Sequence, residues 1–407
     1  MLLDDQLAML ATGRSQSLFT SDLAMHGQRL AAQIRDARTL VIGGAGSVGS
    51  ATISSLLRFE PAAVHVVDQN ENGLAELIRH LRSRPEGLST RDFQTFPVDF
   101  GSPWMDRLLD EQRPYDYVLN FAAIKHVRSE KDSSSILQML DTNVLKPARL
   151  LRSFAIRGCP RNYFCVSTDK AANPVNLMGA SKRLMEHVVF SGEAAPDLRT
   201  CFTSARFANV AFSDGSLLHG FQQRLMRRQP LAVPRNTRRY FVSMEEAGQI
   251  CLLAALAADH GHTLIPQLDP STDLKELATV AQGFLECHKL EPCEYEDEQA
   301  ARVSVAKELA RGRYPMLLTP LDTSGEKPYE EFAAEGEVVA EAGFPHLRAI
   351  PYLPTSPGAV RHILQELERL AADTSIAITK ADIVRLVATA VTNLQHIETG
   401  KTLDGRM

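Results

Sequence analysis

Short apolar runs rich in β-branched and aromatic residues recur through the first half of the chain: "TLVIGG", "AVHVVDQ", "FQTFPVD", "YDYVLNFA", "NYFCVSTD" and "RTCFTSARFANV". Between them lie stretches whose apolar residues return every three or four positions, the spacing of an amphipathic helix. This alternation predicts an α/β fold of βαβ units, with a parallel sheet carrying helices on both faces. In such a sheet ligands gather outside the carboxyl ends of the strands, so the residues closing each run are the candidates for function. Ahead of the first run, residues up to about 37 read as a polar-faced helix, "DLAMHGQRLAAQIRDA", preceded by a loop, "TGRSQSLFTS". From about residue 213 the alternation fades, and "EPCEYEDEQAARVSVAKELARG" reads as a charged, solvated helix of a smaller appended region. The segments "SPGAVRHILQELERLAAD" and "ITKADIVRLVATAVTNLQHIE" read as two amphipathic helices. Their apolar stripes need cover, either from the body or from another subunit.

Composition narrows the class. The 407 residues are 44% hydrophobic and 23% charged, enough for two or three packed units of an ordinary globular chain. A net charge of −5 leaves no electrostatic footprint for nucleic acid. "TLVIGGAG" and "ICLLAALAA" fall far short of a membrane span, and the opening "MLLDDQLAML" carries acids where a secretory signal needs positive charge. Six scattered cysteines without a CxxC pair suit a reducing cytoplasm. Cys287, His288 and Cys293 in "CHKLEPC" are the one hint of metal ligands, but they lack a second pair, so no metal is expected.

The first apolar run leads straight into "GGAGSVGS", which spaces Gly43, Gly46 and Gly49 as GxxGxxG around Ser47 and Val48. A tight strand–helix turn alone would explain such glycines. So would a pyrophosphate approaching backbone amides at the start of a helix. The next run ends at Asp68, 19 residues after Gly49, where a carboxylate can accept from ribose hydroxyls. No basic residue follows in "DQNENG", which favours NAD over NADP. Asp99 and Phe100 close the third run and are placed beside adenine. Ala122 and Ala123 in "NFAAIKHV" offer small side chains where a dinucleotide would cross the sheet. This makes the expected fold a Rossmann-type doubly wound sheet with a smaller C-terminal substrate-binding region and a helical tail. The expected boundaries are 1–37 for an N-terminal helical arm, 38–212 for the NAD-binding Rossmann domain, 213–350 for a substrate-binding region interleaved with late sheet elements, and 351–407 for the C-terminal helices.

With Asn143 in "DTNVLKP" added, these marks resemble the extended short-chain dehydrogenase/reductase superfamily. "STDKAANPVNLMGASKRLME", "RFANV", "RRYFVS" and "GEKPYEEF" are similar to the nucleotide-sugar 4,6-dehydratases of polysaccharide and nonulosonic acid biosynthesis. "PQLDPSTDL" and "HIETGKTLDGRM" look most like a soluble subgroup associated with legionaminic-type sugars. The resemblance implies a UDP- or GDP-N-acetylglucosamine substrate, NAD as cofactor, and oxidation at C4 that makes the C5 proton removable. It assigns Lys170 as the C5 base, Asp169 as the acid at C6 and Thr168 to the C4 oxygen. The adjacent pair shares its protons, so the two titrate together. Lys182 holds the nicotinamide ribose. Four residues earlier, on the same helix face, most of the superfamily carries tyrosine, and here stands Met178. A thioether cannot exchange the C4 hydroxyl proton, so that proton passes to Asp169 with Thr168, or to a water; retention at C5 is the outcome associated with methionine here. The resemblance also places Asn209 and Arg239 near the nucleotide diphosphate and Glu326 near the nucleoside ribose; Ser216 is a further substrate-binding candidate, and Lys125 and His126, which follow the fourth run, are placed at the border of the sugar. Arg206 reads equally as a ligand or as a structural ion-pair partner. A C4 or C5 epimerase, or a non-catalytic NAD(H)-binding regulator, are the competing readings. A homo-oligomer is expected from the arm and the tail helices, with no nucleic-acid or membrane partner.

Overall fold

The computed structural model describes residues 3–320 and 329–398. Two helices open the chain, α1 (Leu3–Thr12) and α2 (Thr20–Ile34). Strand and helix then alternate: β1 (Arg38–Ile42), α3 (Ser47–Leu57), β2 (Ala63–Val67), α4 (Glu71–Arg82), β3 (Asp92–Phe96), α5 (Pro103–Glu111) and β4 (Tyr117–Asn120). The alternation continues with α6 (Ser133–Leu140), α7 (Lys146–Arg157), β5 (Asn162–Val166), α8 (Leu177–Phe190) and β6 (Cys201–Ala205). Next come β7 (Asn209–Val210), α9 (Leu217–Met226), β8 (Leu231–Pro234), β9 (Arg238–Val242), α10 (Met244–Leu256) and β10 (His262–Pro266). After these come β11 (Leu274–Glu276), α11 (Leu277–Cys287), β12 (Glu291–Tyr295), α12 (Glu298–Leu309), β13 (Arg313–Thr319), β14 (Ala340–Glu341) and β15 (Leu347–Pro351). Helices α13 (Ala359–Ala372) and α14 (Lys380–Ala388) end the described elements.

Nine strands form the main sheet in the order β14-β15-β10-β6-β5-β4-β1-β2-β3. From β3 through β10 the pairs are parallel, and the two pairs at the edge, β10–β15 and β15–β14, are antiparallel. The order reverses between β1 and β4, which opens a crevice at their carboxyl ends. Two three-stranded sheets, β11-β9-β7 and β12-β13-β8, build the smaller lobe above it.

Strand alternation divides the apolar side chains between two faces. Leu40 and Ile42 of β1 join a core with α5 to α8, whereas Val41 joins a second core with α2, α3, α4 and α10. The two tail helices close the first core: Val360, Ile363, Leu364 and Leu367 of α13 and Ile383 and Val387 of α14 are buried within it. Their stripes are therefore covered by the chain's own body, and no second subunit is needed to explain them.

Two elements depart from the sequence expectation. Leu7, Leu10 and Ala11 place α1 against α11, a separate helix ahead of the loop where the residue patterns marked only the helix after it. "EPCEY" is not the start of a helix. It forms β12, because parallel pairing with β13 supplies the backbone bonds that its charged side chains do not oppose at an edge. Among the described residues no helix is long and apolar enough to cross a membrane, and no cluster of three or more His, Cys, Asp or Glu could hold a metal ion. His288 bonds through Nδ1 to the Phe284 carbonyl of its own helix.

Candidate active site

A cleft of about 1680 Å³ lies between the carboxyl ends of β1, β2, β4 and β5 and the smaller lobe. Its floor begins where β1 leaves the sheet. Gly43 has φ +74°, and a Cβ there would stand 2.5 Å from the Ala122 amide nitrogen, so the turn requires glycine twice over. Gly49 packs α3 down on the same turn, since a Cβ would meet the Gly43 carbonyl at 2.5 Å. At the N-cap, Gly46 provides no side chain to satisfy the first amides of α3, which leaves them available to an anion in the cleft. Ser47, Val48, Ala122 and Ala123 line the same floor.

Asp68 follows β2 and faces the cleft, where it accepts from the amides of Ala45 at 3.0 Å and Asn70 at 2.9 Å. Its carboxylate is thereby held in place at the rim. Asp99 and Phe100 also line the cleft, but Asp99 is engaged by Lys146 Nζ at 2.7 Å. That partner stands in the quoted "DTNVLKP" and was missed by the sequence reading. Asn143 does not reach the cleft. It sits buried in a π-helical turn (Asp141–Leu145), accepts from the Ile124 amide, and donates to the Ile124 carbonyl and to Ser181 Oγ, all at 2.9 Å. It fastens the strand end after β4 to α8.

The chemistry-bearing side chains meet at the end of β5. Thr168, Lys170, Met178 and Lys182 all line the cleft. Asp169 does not: it is 5% exposed, accepts from Thr168 Oγ1 at 2.7 Å, and lies 3.5 Å from Lys170 Nζ. The Thr168 hydroxyl therefore stands between Asp169 and the cleft. Met178 and Lys182 are one turn apart on α8, with Asn176 as the N-cap accepting the Gly179 amide at 2.8 Å. Gly179 lets the helix start press against the loop that carries Lys170, since a Cβ would stand 2.4 Å from the Lys170 carbonyl. Lys182 is buried on every side but the cleft, with Nζ 3.3 Å from Met185 Sδ. Burial lowers its pKa to about 8 against the opposing pull of Cys165 and Glu186.

On the lobe side, Lys125, His126, Asn209, Ser216 and Arg239 line the cleft. Asn209 Nδ2 donates to Glu330 at 2.6 Å, and Arg239 pairs with the same carboxylate at 3.3 Å. Glu330 also accepts the Tyr240 amide. Burial and the nearby Asp169 raise its carboxyl above the ordinary glutamate range, while Arg239 pulls the other way. Glu330 lies in the "GEKPYEEF" motif, four residues past Glu326, which falls outside the described residues. Ser47 Oγ and Asp214 bond across the cleft mouth at 3.0 Å. Arg206 is 1% exposed and held by Glu186 at 2.6 Å and Glu337 at 2.6 Å, so it is a structural ion-pair partner. Burial alone would raise the Glu186 carboxyl; Arg206 and Arg183 hold it down at about 2. Ser167 Oγ donates to Glu186 at 2.6 Å and joins this cluster to the residue ahead of Thr168.

The reversed strand order, the glycine turn at the reversal and the lobe over the crevice define a Rossmann-type doubly wound fold. Residues 39–351 match the polysaccharide biosynthesis protein family, and the chain belongs to that family. It is 32% identical over 248 residues to the uncharacterized membrane protein MJ1061 of Methanocaldococcus jannaschii, covering 60% of this chain and 71% of that one. It spans only 39% of the capsular polysaccharide biosynthesis protein CapD of Staphylococcus aureus, to which it is 30% identical over 59% of its own length. A UDP-N-acetylglucosamine 4,6-dehydratase (inverting) of Campylobacter jejuni is 26% identical, over 59% of this chain and 69% of that one. A UDP-glucose 4-epimerase of Rickettsia bellii is likewise 26% identical, over 61% and 71%. Among solved structures, Pen from Bacillus thuringiensis superposes with a TM-score of 0.63 at 22% identity, over 82% of this chain and 98% of that one. WbmF of Bordetella bronchiseptica, in complex with NADH, gives 0.50 at 18% identity, over 63% and 78%.

Proposed function

We propose that the protein is an NAD-dependent nucleotide-sugar 4,6-dehydratase acting on UDP- or GDP-N-acetylglucosamine, with retention at C5. The observation that carries this reading is the convergence of Thr168, Lys170, Met178 and Lys182 on one cleft beside the glycine turn. The residues present fit NAD. The uncapped start of α3 suits a pyrophosphate, Asp68 suits the adenosine ribose, and Lys182 suits the nicotinamide ribose. When bound, NAD supplies the acceptor for the C4 hydride and returns it at C6.

The chain's own residues manage the protons. Thr168 takes the C4 hydroxyl proton and relays it to Asp169, the carboxylate it already bonds. Lys170 removes the C5 proton, which the C4 ketone has made acidic. Asp169 gives its proton back through Thr168 to the C6 hydroxyl, which leaves as water. Lys170 then returns a proton to C5, so each group ends in its starting state. Met178 takes no proton and shapes the wall against the sugar. Arg239, Asn209 and Ser216 hold the diphosphate once Arg239 turns from Glu330, and Lys125 and His126 border the sugar. We place the protein in the cytoplasm, a reducing compartment that its six scattered cysteines suit.

An epimerase is the second reading. One observation favours it: Asp169 is buried off the cleft, and epimerisation needs no acid at C6. Incubation with UDP- and GDP-sugars in the presence of NAD decides between them. The dehydratase forms a product lighter by one water with a C6 methyl group in its NMR spectrum; a product of unchanged mass and an intact C6 hydroxyl would sink that reading.

A further inference from the structure

The chain beyond α14 lies across the loop that carries Lys170. The Gln395 amide donates to the Pro174 carbonyl and the Ile397 amide to the Val175 carbonyl, each at 3.0 Å. Asn393 Nδ2 donates to the Ala172 carbonyl at 2.8 Å. His396 is largely buried and brings Nε2 within 3.5 Å of Glu130. The other carboxylate oxygen of Glu130 accepts the Met178 amide at 2.8 Å. Val391 is buried in the same core as α8 and anchors this stretch.

The loop needs such support. Between Ala171 and α8 it has no helix or strand of its own, and its carbonyls at Ala172, Pro174 and Val175 accept from the tail. The tail residues themselves do not line the cleft, and they lie outside the 39–351 span of the family match. We propose that residues 393–397, with Glu130, are positioning residues that hold the 170–178 loop, so that Lys170 and Met178 meet the substrate at a fixed spacing. The consequence for rate rests on the dehydratase reading; the brace itself rests on geometry alone.

Four full-length variants test it. Asn393→Asp keeps the shape and removes the donor. Ile397→Pro removes one backbone amide at a half-exposed position. His396→Ala breaks the contact with Glu130, and His396→Gln keeps a donor there. Steady-state kinetics with UDP-N-acetylglucosamine are read beside hydrogen exchange of peptides covering 168–179. The expected result for the first three is a kcat lower by roughly 10-fold or more, from displaced reacting groups, with KM and NAD affinity held. Exchange should be faster in the 170–178 loop but not in β5, and His396→Gln should recover most of the lost rate. Wild-type kcat and wild-type loop exchange in the Asn393 and His396 variants would overturn the proposal. If Ile397→Pro does not fold, those side-chain variants decide alone. If the wild type turns over no nucleotide sugar, the dehydratase reading fails and loop exchange still decides the brace.

Discussion

Lys182→Met exchanges a buried ammonium for an uncharged side chain of similar length. Lys182 is 4% exposed on α8, and burial brings its pKa from the ordinary 10.5 to about 8. At about 1.4 kcal/mol per pH unit, holding that charge costs the folded state about 3 kcal/mol at neutral pH. Glu186 is not orphaned by the change, because Arg206 and Arg183 still neutralise it. Between pH 8 and 10.5 the unfolded chain keeps a proton here that the folded chain has released. Stability of the wild type therefore rises with pH through that window, and the cost fades. Urea unfolding of the cofactor-free protein reads this directly. The variant should be more stable by about 3 kcal/mol near pH 7 and by about 1 kcal/mol near pH 9.5, while binding NAD more weakly. A variant less stable at pH 7, or a gap that does not shrink with pH, would refute the reasoning that a functional lysine is kept here at the expense of stability.

Arg206→Met leaves Arg183 to neutralise both buried carboxylates, Glu186 and Glu337, so unfolding free energy should fall by about 3–5 kcal/mol, measured by denaturant titration. Gly43→Ala forces a side chain to a positive φ and onto the Ala122 amide; a loss of at least about 1–3 kcal/mol and of NAD binding is expected by thermal shift with and without NAD. Met178→Leu should keep near wild-type turnover, since only shape is required there; a severe defect would assign the thioether a further role. Lys170→Ala should abolish turnover and leave NAD binding nearly intact, and calorimetry alongside kinetics would separate it from Lys182→Ala, which weakens both.

The sheet was legible because its central strands, β1, β2, β4, β5 and β6, are buried on both faces and read as compact apolar runs, each closing near the cleft. The glycine turn was legible because its reason is steric and local. Long-range contacts were not. Arg206 could be read two ways until Glu337, 131 positions away in sequence, was seen to pair with it. Asp169 stands next to Lys170 in the chain, yet a single turn after β5 (Asp169–Ala171) puts one side chain in the interior and the other in the cleft. Strand β12 carries Glu, Cys and Tyr in no apolar pattern, and only its neighbour β13 makes it a strand. Helix α1 had a visible i, i+4 apolar stripe in Leu3, Leu7 and Ala11; its brevity hid it. The tail's hold on Ala172, Pro174 and Val175 uses backbone carbonyls, which leave no trace in side-chain pattern.

The central claim is that Lys170 removes the C5 proton of a sugar oxidised at C4. Running the reaction in D₂O and reading the product by NMR tests it most directly. The wild type is expected to give a 6-deoxy-4-keto sugar nucleotide with deuterium at C5, and Lys170→Ala none. Deuterated product from Lys170→Ala at a rate near that of the wild type would contradict the assignment.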